Sequence, residues 1–273
     1  MGKFTGILIC TDLDGTAYKN DKTLSAENKK AIEYFKSEGG YFTFVTGRMP
    51  YTSLEACALI EPNVPAGAIN GGALYDFIKD EYIWKTKADR CIMELVACVD
   101  KELPGVGIQV NTFDKLYFSK DNAAMQYFRK VTGAPNLVRH YRDVDEDIAK
   151  VVFGIDTEEE LVRICELMEQ HPLAGNFDFV RSERRLYEIL PKGISKAVGL
   201  EKLCEYLGVS IDKSVAVGDF YNDIPMIKAA GTGIAVGNAC PEAKAAADFV
   251  TSTNEEDAIA KVIYGIEQGV FNI

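Results

Sequence analysis

Two short acidic strings in this chain have the side chains and spacing to do chemistry. Asp12-Leu13-Asp14-Gly15-Thr16 sets two carboxylates two residues apart, beside a hydroxyl and a glycine that lets the backbone turn sharply. Gly218-Asp219-Phe220-Tyr221-Asn222-Asp223 offers a second carboxylate pair with a carboxamide. Each string also has a plainer reading: an Asp-Gly turn after a strand, or Asp219 or Asn222 capping a helix. Facing one another, they would form the oxygen-rich donor set that suits Mg²⁺, which takes one or two carboxylates with waters and a substrate phosphate. Thr46-Gly47-Arg48 supplies a hydroxyl, a backbone amide and a guanidinium, the donors a phosphate oxygen accepts from. Lys196 follows Gly193-Ile194-Ser195 at the start of a helical pattern. The helix dipole disfavours a cation there unless anions stand beside it.

These residues need elements to hold them. Ile7–Cys10 is a short apolar block that reads as a buried parallel strand, so the first acidic string sits at a strand's carboxyl end. Ser25 can cap a helix whose apolar face is Ala31, Ile32 and Phe35, and Gly39-Gly40 stops it before a strand at Tyr41–Val45. The last third alternates in the same way, with helical spacing through Leu200, Leu203, Cys204 and Leu207. A strand at Ser214–Val217, a helix at Ile224–Ala230 and a strand at Ile234–Val236 follow. This alternation predicts an α/β fold, a doubly wound parallel sheet of Rossmann type, with both acidic strings in the loops where such sheets bind ligands. The middle is strand-rich: Ile108–Val110, Leu116–Phe118, Val151–Ile155, Phe177–Val180 and Leu186–Leu190, with two longer helical stretches near 88–102 and 157–170. It reads as an inserted α+β domain over 87–187, the core being 1–86 and 188–273.

Composition narrows the function. The 273 residues carry a net charge of −11, with 47% hydrophobic and 26% charged side chains. This is a self-folding globular chain with no broad basic surface for nucleic acid or anionic lipid. An anionic substrate must be attracted locally. Seven scattered cysteines without a C-x-x-C pair suggest neither zinc nor a disulfide framework, and a reduced cytoplasmic setting follows. Only Ile7, Leu8 and Ile9 form an apolar run near the N-terminus, too short for a signal segment, so no membrane role is expected. His140, His171 and the acidic runs at 143–147 and 158–160 read as solvated loop and helix-start residues.

With its motifs in this order, the chain resembles the haloacid dehalogenase-like superfamily, specifically its Cof-type phosphatases of subclass IIB with a large α+β cap. Asp12 to Thr16 match the first motif, Thr46 the second, Lys196 the third and Gly218 to Asp223 the fourth, while Asn70-Gly71-Gly72 resembles a segment found shortly before the cap. Ala17 and the bulky Phe220-Tyr221 pair depart from the usual pattern. The resemblance implies a Mg²⁺-dependent phosphatase acting on small phosphorylated metabolites, sugar phosphates or phosphorylated cofactors, with no obligate protein partner. It assigns Asp12 as nucleophile, Asp14 as acid and base, Thr46 as phosphoryl holder and Lys196 as counter-charge, with Asp12, Asp14 (through its carbonyl), Asp219 and Asp223 around the metal. Thr16, Gly47, Arg48, Asn70 and Asn222 are expected at the phosphate. Arg181 and Glu188 are the candidates in the inserted domain, both expected near the hinge and facing a small polar leaving group such as a sugar, each with the alternative of a surface ion pair. A phosphomutase shares the core motifs, and a receiver-like signalling protein shares the acidic pocket but has no cap.

Overall fold

The apolar block near the N-terminus forms β1 (Leu8–Thr11), buried along its length, in a computed structural model that describes residues 2–271 and 273. Ser25 caps α1 (Ala26–Ser37), its hydroxyl accepting the Asn28 N–H at 3.0 Å. Ala31, Ile32 and Phe35 face inward, and Gly39, in the left-handed region, ends the helix before β2 (Tyr41–Phe44). A short α2 (Leu54–Ile60) and three antiparallel strands follow: β3 (Ala66–Ala68), β4 (Ala73–Asp76) and β5 (Glu81–Lys85). That small sheet was not apparent in the βα alternation.

The chain divides into two units, one made by the chain up to Lys85 and from Ser195 onward, the other by Thr86–Ile194. The inserted unit contains α3 (Ile92–Glu102), β6 (Gly107–Thr112), β7 (Leu116–Lys120), α4 (Ala123–Thr132), β8 (Leu137–Val138), β9 (Ile148–Gly154), α5 (Glu158–Gln170), β10 (Phe177–Glu183) and β11 (Leu186–Pro191). Its sheet runs β10-β11-β9-β6-β7-β8. One face packs Ile108, Val110, Val151, Phe153 and Ile189 against Ile92, Leu95, Val96, Val99 of α3 and Ile164, Leu167, Met168 of α5. The expectation of two helices here is corrected by α4, whose N-cap Asn122 accepts from Met125 N–H and donates to the Gly154 carbonyl, both within 3.0 Å. The expected boundary at 187/188 is also corrected. It would cut β11, a strand hydrogen-bonded to β10 on one side and β9 on the other, and the unit runs on to Ile194.

The chain then supplies α6 (Lys196–Leu207), β12 (Ser214–Gly218), α7 (Ile224–Ala229), β13 (Thr232–Ala235), α8 (Pro241–Ala246), β14 (Phe249–Val250) and α9 (Ala258–Glu267). With β1 and β2 they form an all-parallel sheet in the order β14-β13-β12-β1-β2. Period-two alternation sends Ile9, Phe42, Phe44, Val215 and Val217 into one apolar layer and Leu8, Cys10 and Ala216 into the other, so helices cover both faces. Strand order reverses between β1 and β12, which opens a crevice at their carboxyl ends. Among the described residues no helix is long and apolar enough to cross a membrane.

One close approach sets the crevice wall. Gly71 has φ +87, and a Cβ there would lie 2.0 Å from the Ser195 carbonyl oxygen at the start of α6. Gly71→Ala is therefore expected to destabilise the protein by on the order of 3 kcal/mol, lowering its thermal midpoint by roughly 5 °C or more. Gly133→Ala, at φ +64 with nothing within 4 Å, should cost only about 1–2 kcal/mol from the left-handed backbone. Calorimetry of the two variants checks the contrast.

Candidate active site

Asp12 directly follows β1, and its N–H donates to the Val217 carbonyl of β12 at 2.8 Å, pinning its backbone at the strand-order reversal. The chain then winds through Leu13–Ala17, closed by the Tyr18 N–H reaching the Leu13 carbonyl at 2.9 Å. Gly15 is required twice over: its φ is +78, and a Cβ would stand 2.6 Å from Asp219 Oδ2. The first acidic loop thus lies against the second, and Thr16 Oγ1 donates to Asp219 Oδ1 at 3.0 Å.

Lys196, fully buried at the first position of α6, ties the cluster together. Its Nζ donates to Asp12 Oδ1 and to Asp223 Oδ1, each at 2.5 Å. The other oxygen of Asp223 accepts the backbone N–H groups of Asp219 and Phe220 at 3.0 and 3.1 Å. Burial alone would push the Lys196 ammonium down, but the two carboxylates outweigh it and hold the proton firmly. Burial pushes the Asp12 carboxyl up, with repulsion from Asp223 and Asp14 adding to it against the pull of Lys196. Asp219 is raised by burial and by repulsion from Asp223 and Asp12.

One oxygen from each of Asp12, Asp219 and Asp223 lies within 4.8 Å of the others. Three carboxylates against one ammonium leave an excess of negative charge in a nearly dry pocket. That all-oxygen donor set fits a hard divalent cation, which would relieve the upward pressure on Asp12 and Asp219. The Asp14 side chain is not part of this group. Arg48 grips it with Nε at 3.0 Å and Nη2 at 2.7 Å, and Lys22 Nζ adds a contact at 2.7 Å. Burial would raise the Asp14 carboxyl, but Arg48 and Lys22 prevail and hold it below the ordinary value.

The remaining core candidates converge on the same crevice. Thr46 follows β2, its Oγ1 accepting the Arg48 N–H at 3.2 Å and its carbonyl accepting the Asn70 N–H at 3.0 Å. Asn70 sits in the left-handed region and its Oδ1 accepts from Asn222 Nδ2 at 3.0 Å. A Cβ on Gly47 would lie 3.0 Å from the same oxygen. Sequence reasoning missed Lys22, whose aim depends on a tight turn between Lys19 and Thr23, and Asn238, whose Nδ2 holds the Gly15 carbonyl at 2.7 Å. Neither belongs to a motif string.

The structure places Arg181 and Glu188 on opposite faces of the inserted sheet. Arg181 pairs in register with Tyr187 on the helix-covered face of the inserted sheet, donating to Glu158 at 2.5 Å and to the Arg184 carbonyl at 2.7 Å. Glu188 points to the opposite face and accepts from Lys150 at 2.6 Å. Alternation along paired strands separates them.

A family model for haloacid dehalogenase-like hydrolases matches residues 9–263. The 5-amino-6-(5-phospho-D-ribitylamino)uracil phosphatase YitU of Bacillus subtilis is 28% identical over 258 residues, covering 94% of this chain and 96% of that protein. A second B. subtilis phosphatase of the same description, YcsE, is 29% identical over 259 residues and covers 94% of each. The solved haloacid dehalogenase-like hydrolase from Bacteroides thetaiotaomicron superposes with a TM-score of 0.81 at 27% identity, covering 95% of this chain and 99% of its own.

Removing the buried ammonium tests the electrostatics of the cluster. Lys196→Met leaves Asp12 and Asp223 without their shared partner and is expected to cost about 3–5 kcal/mol. Millimolar divalent cation should restore part of that loss. Urea unfolding with and without the cation reads both effects.

Proposed function

The chain belongs to the haloacid dehalogenase-like hydrolases, and from that footing we propose that it is a Mg²⁺-dependent phosphatase of small phosphorylated metabolites, working through an aspartyl-phosphate. The observation that carries this reading is Lys196 holding Asp12 and Asp223 together at the carboxyl ends of β1 and β12, with Asp219 beside them. A carboxylate fixed in this way is an oriented nucleophile, and its neighbours form the charge clamp that phosphoryl transfer needs. A substrate of the kind named for the relatives, a phosphorylated ribitylamino chain on uracil, fits the proposal.

In the proposed mechanism, Asp12 attacks phosphorus as the ester oxygen departs with a proton from Asp14. Asp14 then takes a proton from water, which attacks the acyl phosphate, frees inorganic phosphate and restores Asp12. Thr46, the Gly47 amide, Asn70 and Asn222 hold the phosphoryl oxygens, and Lys196 keeps Asp12 oriented and ionised. Arg48 and Lys22 favour the ionised form of Asp14, the form needed to activate water. To serve as the acid, Asp14 must first leave their grip, and an incoming phosphate is a natural acceptor for Arg48. Asp12, Asp219, Asp223 and the Asp14 carbonyl would hold Mg²⁺, which supplies positive charge against the phosphoryl oxygens when bound. The inserted unit is proposed to select the leaving group, because the core residues address only phosphate.

Asp12→Asn keeps the shape of the side chain and removes the nucleophile, so phosphate release should fall to background, as it should after exhaustive EDTA treatment. Undiminished turnover in either case would overturn the mechanism. Asp14→Asn should lower kcat/KM for an alkyl phosphate by roughly 10²–10⁴-fold. With p-nitrophenyl phosphate, whose leaving group needs no proton, the loss should be much smaller. An equal loss for both would remove Asp14 from the acid role.

A further inference from the structure

The inserted sheet has a second polar constellation on the face turned away from α3 and α5. Ile108 and Val110 of β6, Val151 and Phe153 of β9 and Ile189 of β11 enter the apolar core. Their sequence neighbours Gln109, Asn111, Lys150 and Glu188 therefore stand on the opposite face. Asn111 lies opposite Lys150, and Gln109 and Glu188 flank Val152 from its two sides. Glu188 accepts from Lys150 at 2.6 Å and from the Ser182 hydroxyl, so this carboxylate is well satisfied.

The carboxamides are not. Gln109 Nε2 donates to Asn111 Oδ1 at 2.9 Å, but Gln109 Oε1 and Asn111 Nδ2 are buried with no hydrogen-bond partner among the described residues. The two side chains are only 2% and 0% exposed. Each unmet polar atom costs about 1–3 kcal/mol, a cost that a pair of leucines at these strand positions would avoid. Turning both amides over leaves the same outcome. Two carboxamides sharing one hydrogen bond always leave one acceptor and one donor side by side. Their complement is an N–H next to a C=O, the edge of an imide or ureide. Phe118 lies across from Gln109 and Leu116 across from Asn111, both buried, and α4 packs on Phe118, with the Phe128 ring 6.4 Å away and the Arg129 guanidinium over it at 4.4 Å.

We propose that this face of the inserted unit recognises the leaving group of the substrate, with Gln109 and Asn111 binding the N–H and adjacent carbonyl of an imide or ureide ring. The proposal rests on the phosphatase reading above and adds the chemical class of what is released.

The full-length protein with Mg²⁺ is assayed on 5-amino-6-(5-phospho-D-ribitylamino)uracil, its N3-methyl derivative, and p-nitrophenyl phosphate as a substrate without the edge. N3-methylation, Gln109→Leu and Asn111→Leu should each lower kcat/KM for the uracil ester by roughly tenfold or more. The variants should leave p-nitrophenyl phosphate hydrolysis within about twofold, and the double variant Gln109→Leu/Asn111→Leu, which removes the shared hydrogen bond together with both unsatisfied atoms, should hold or raise the thermal midpoint. Equal losses on both substrates, indifference to N3-methylation, or a lowered midpoint of the double variant would overturn the proposal. If the wild type hydrolyses no phosphate ester, the phosphatase reading fails by itself. Calorimetric titration with the dephosphorylated ribitylaminouracil then decides the inference: binding lost in both leucine variants supports it, and no binding to the wild type overturns it.

Discussion

The buried ammonium of Lys196 is the constraint around which the core is arranged. A lysine with no solvent contact survives only where carboxylates replace the lost water, and Asp12 and Asp223 do so at 2.5 Å each. Three elements distant in sequence must therefore end at one point: β1, the loop after β12 and the first turn of α6. The parallel pairing of Thr11 with Val217 brings the two acidic loops level, and Gly71 lets the Asn70 loop press against the start of α6. Slipping any one of them would strand a charge in the interior.

Within this arrangement, two carboxylates of one short string meet opposite environments. Asp12 faces inward among other acids and is pushed up, while Asp14 faces Arg48 and Lys22 and is pulled down. The wound turn at Leu13–Ala17 makes the division by sending consecutive acidic side chains in different directions. Residues of one type can then take different roles because their surroundings split their proton affinities.

The parts legible in the sequence are those decided locally. An apolar block ending in Asp-Leu-Asp-Gly, a serine cap before α1 and a lysine opening α6 each keep their meaning whatever lies elsewhere, and β1, α1 and the core cluster appear where those signals place them. What escaped depends on partners far along the chain. Arg181 and Glu188 read alike from the sequence, and only the β10–β11 register, with its irregularity between Arg181 and Glu183, decides which face each side chain takes. The end of the inserted unit was misplaced because Leu186–Pro191 belongs with β9 and β10 through hydrogen bonds that leave no local signature. Lys22 reaches Asp14 through a left-handed turn residue that is not glycine, so composition gives no warning.

The strand order also has a consequence for synthesis on the ribosome. β1 needs β2 on one side and β12, the middle of the parallel sheet, on the other, and β12 is made only after the whole of Thr86–Ile194. Until then the nascent core carries an open strand edge and lacks Asp219 and Asp223. The inserted sheet, by contrast, draws all its strands from one continuous stretch and can close as soon as that stretch emerges. The part of the chain proposed to choose the substrate can thus acquire its shape before the part proposed to transform it, and the nascent polypeptide remains chemically inert until its final third is in place.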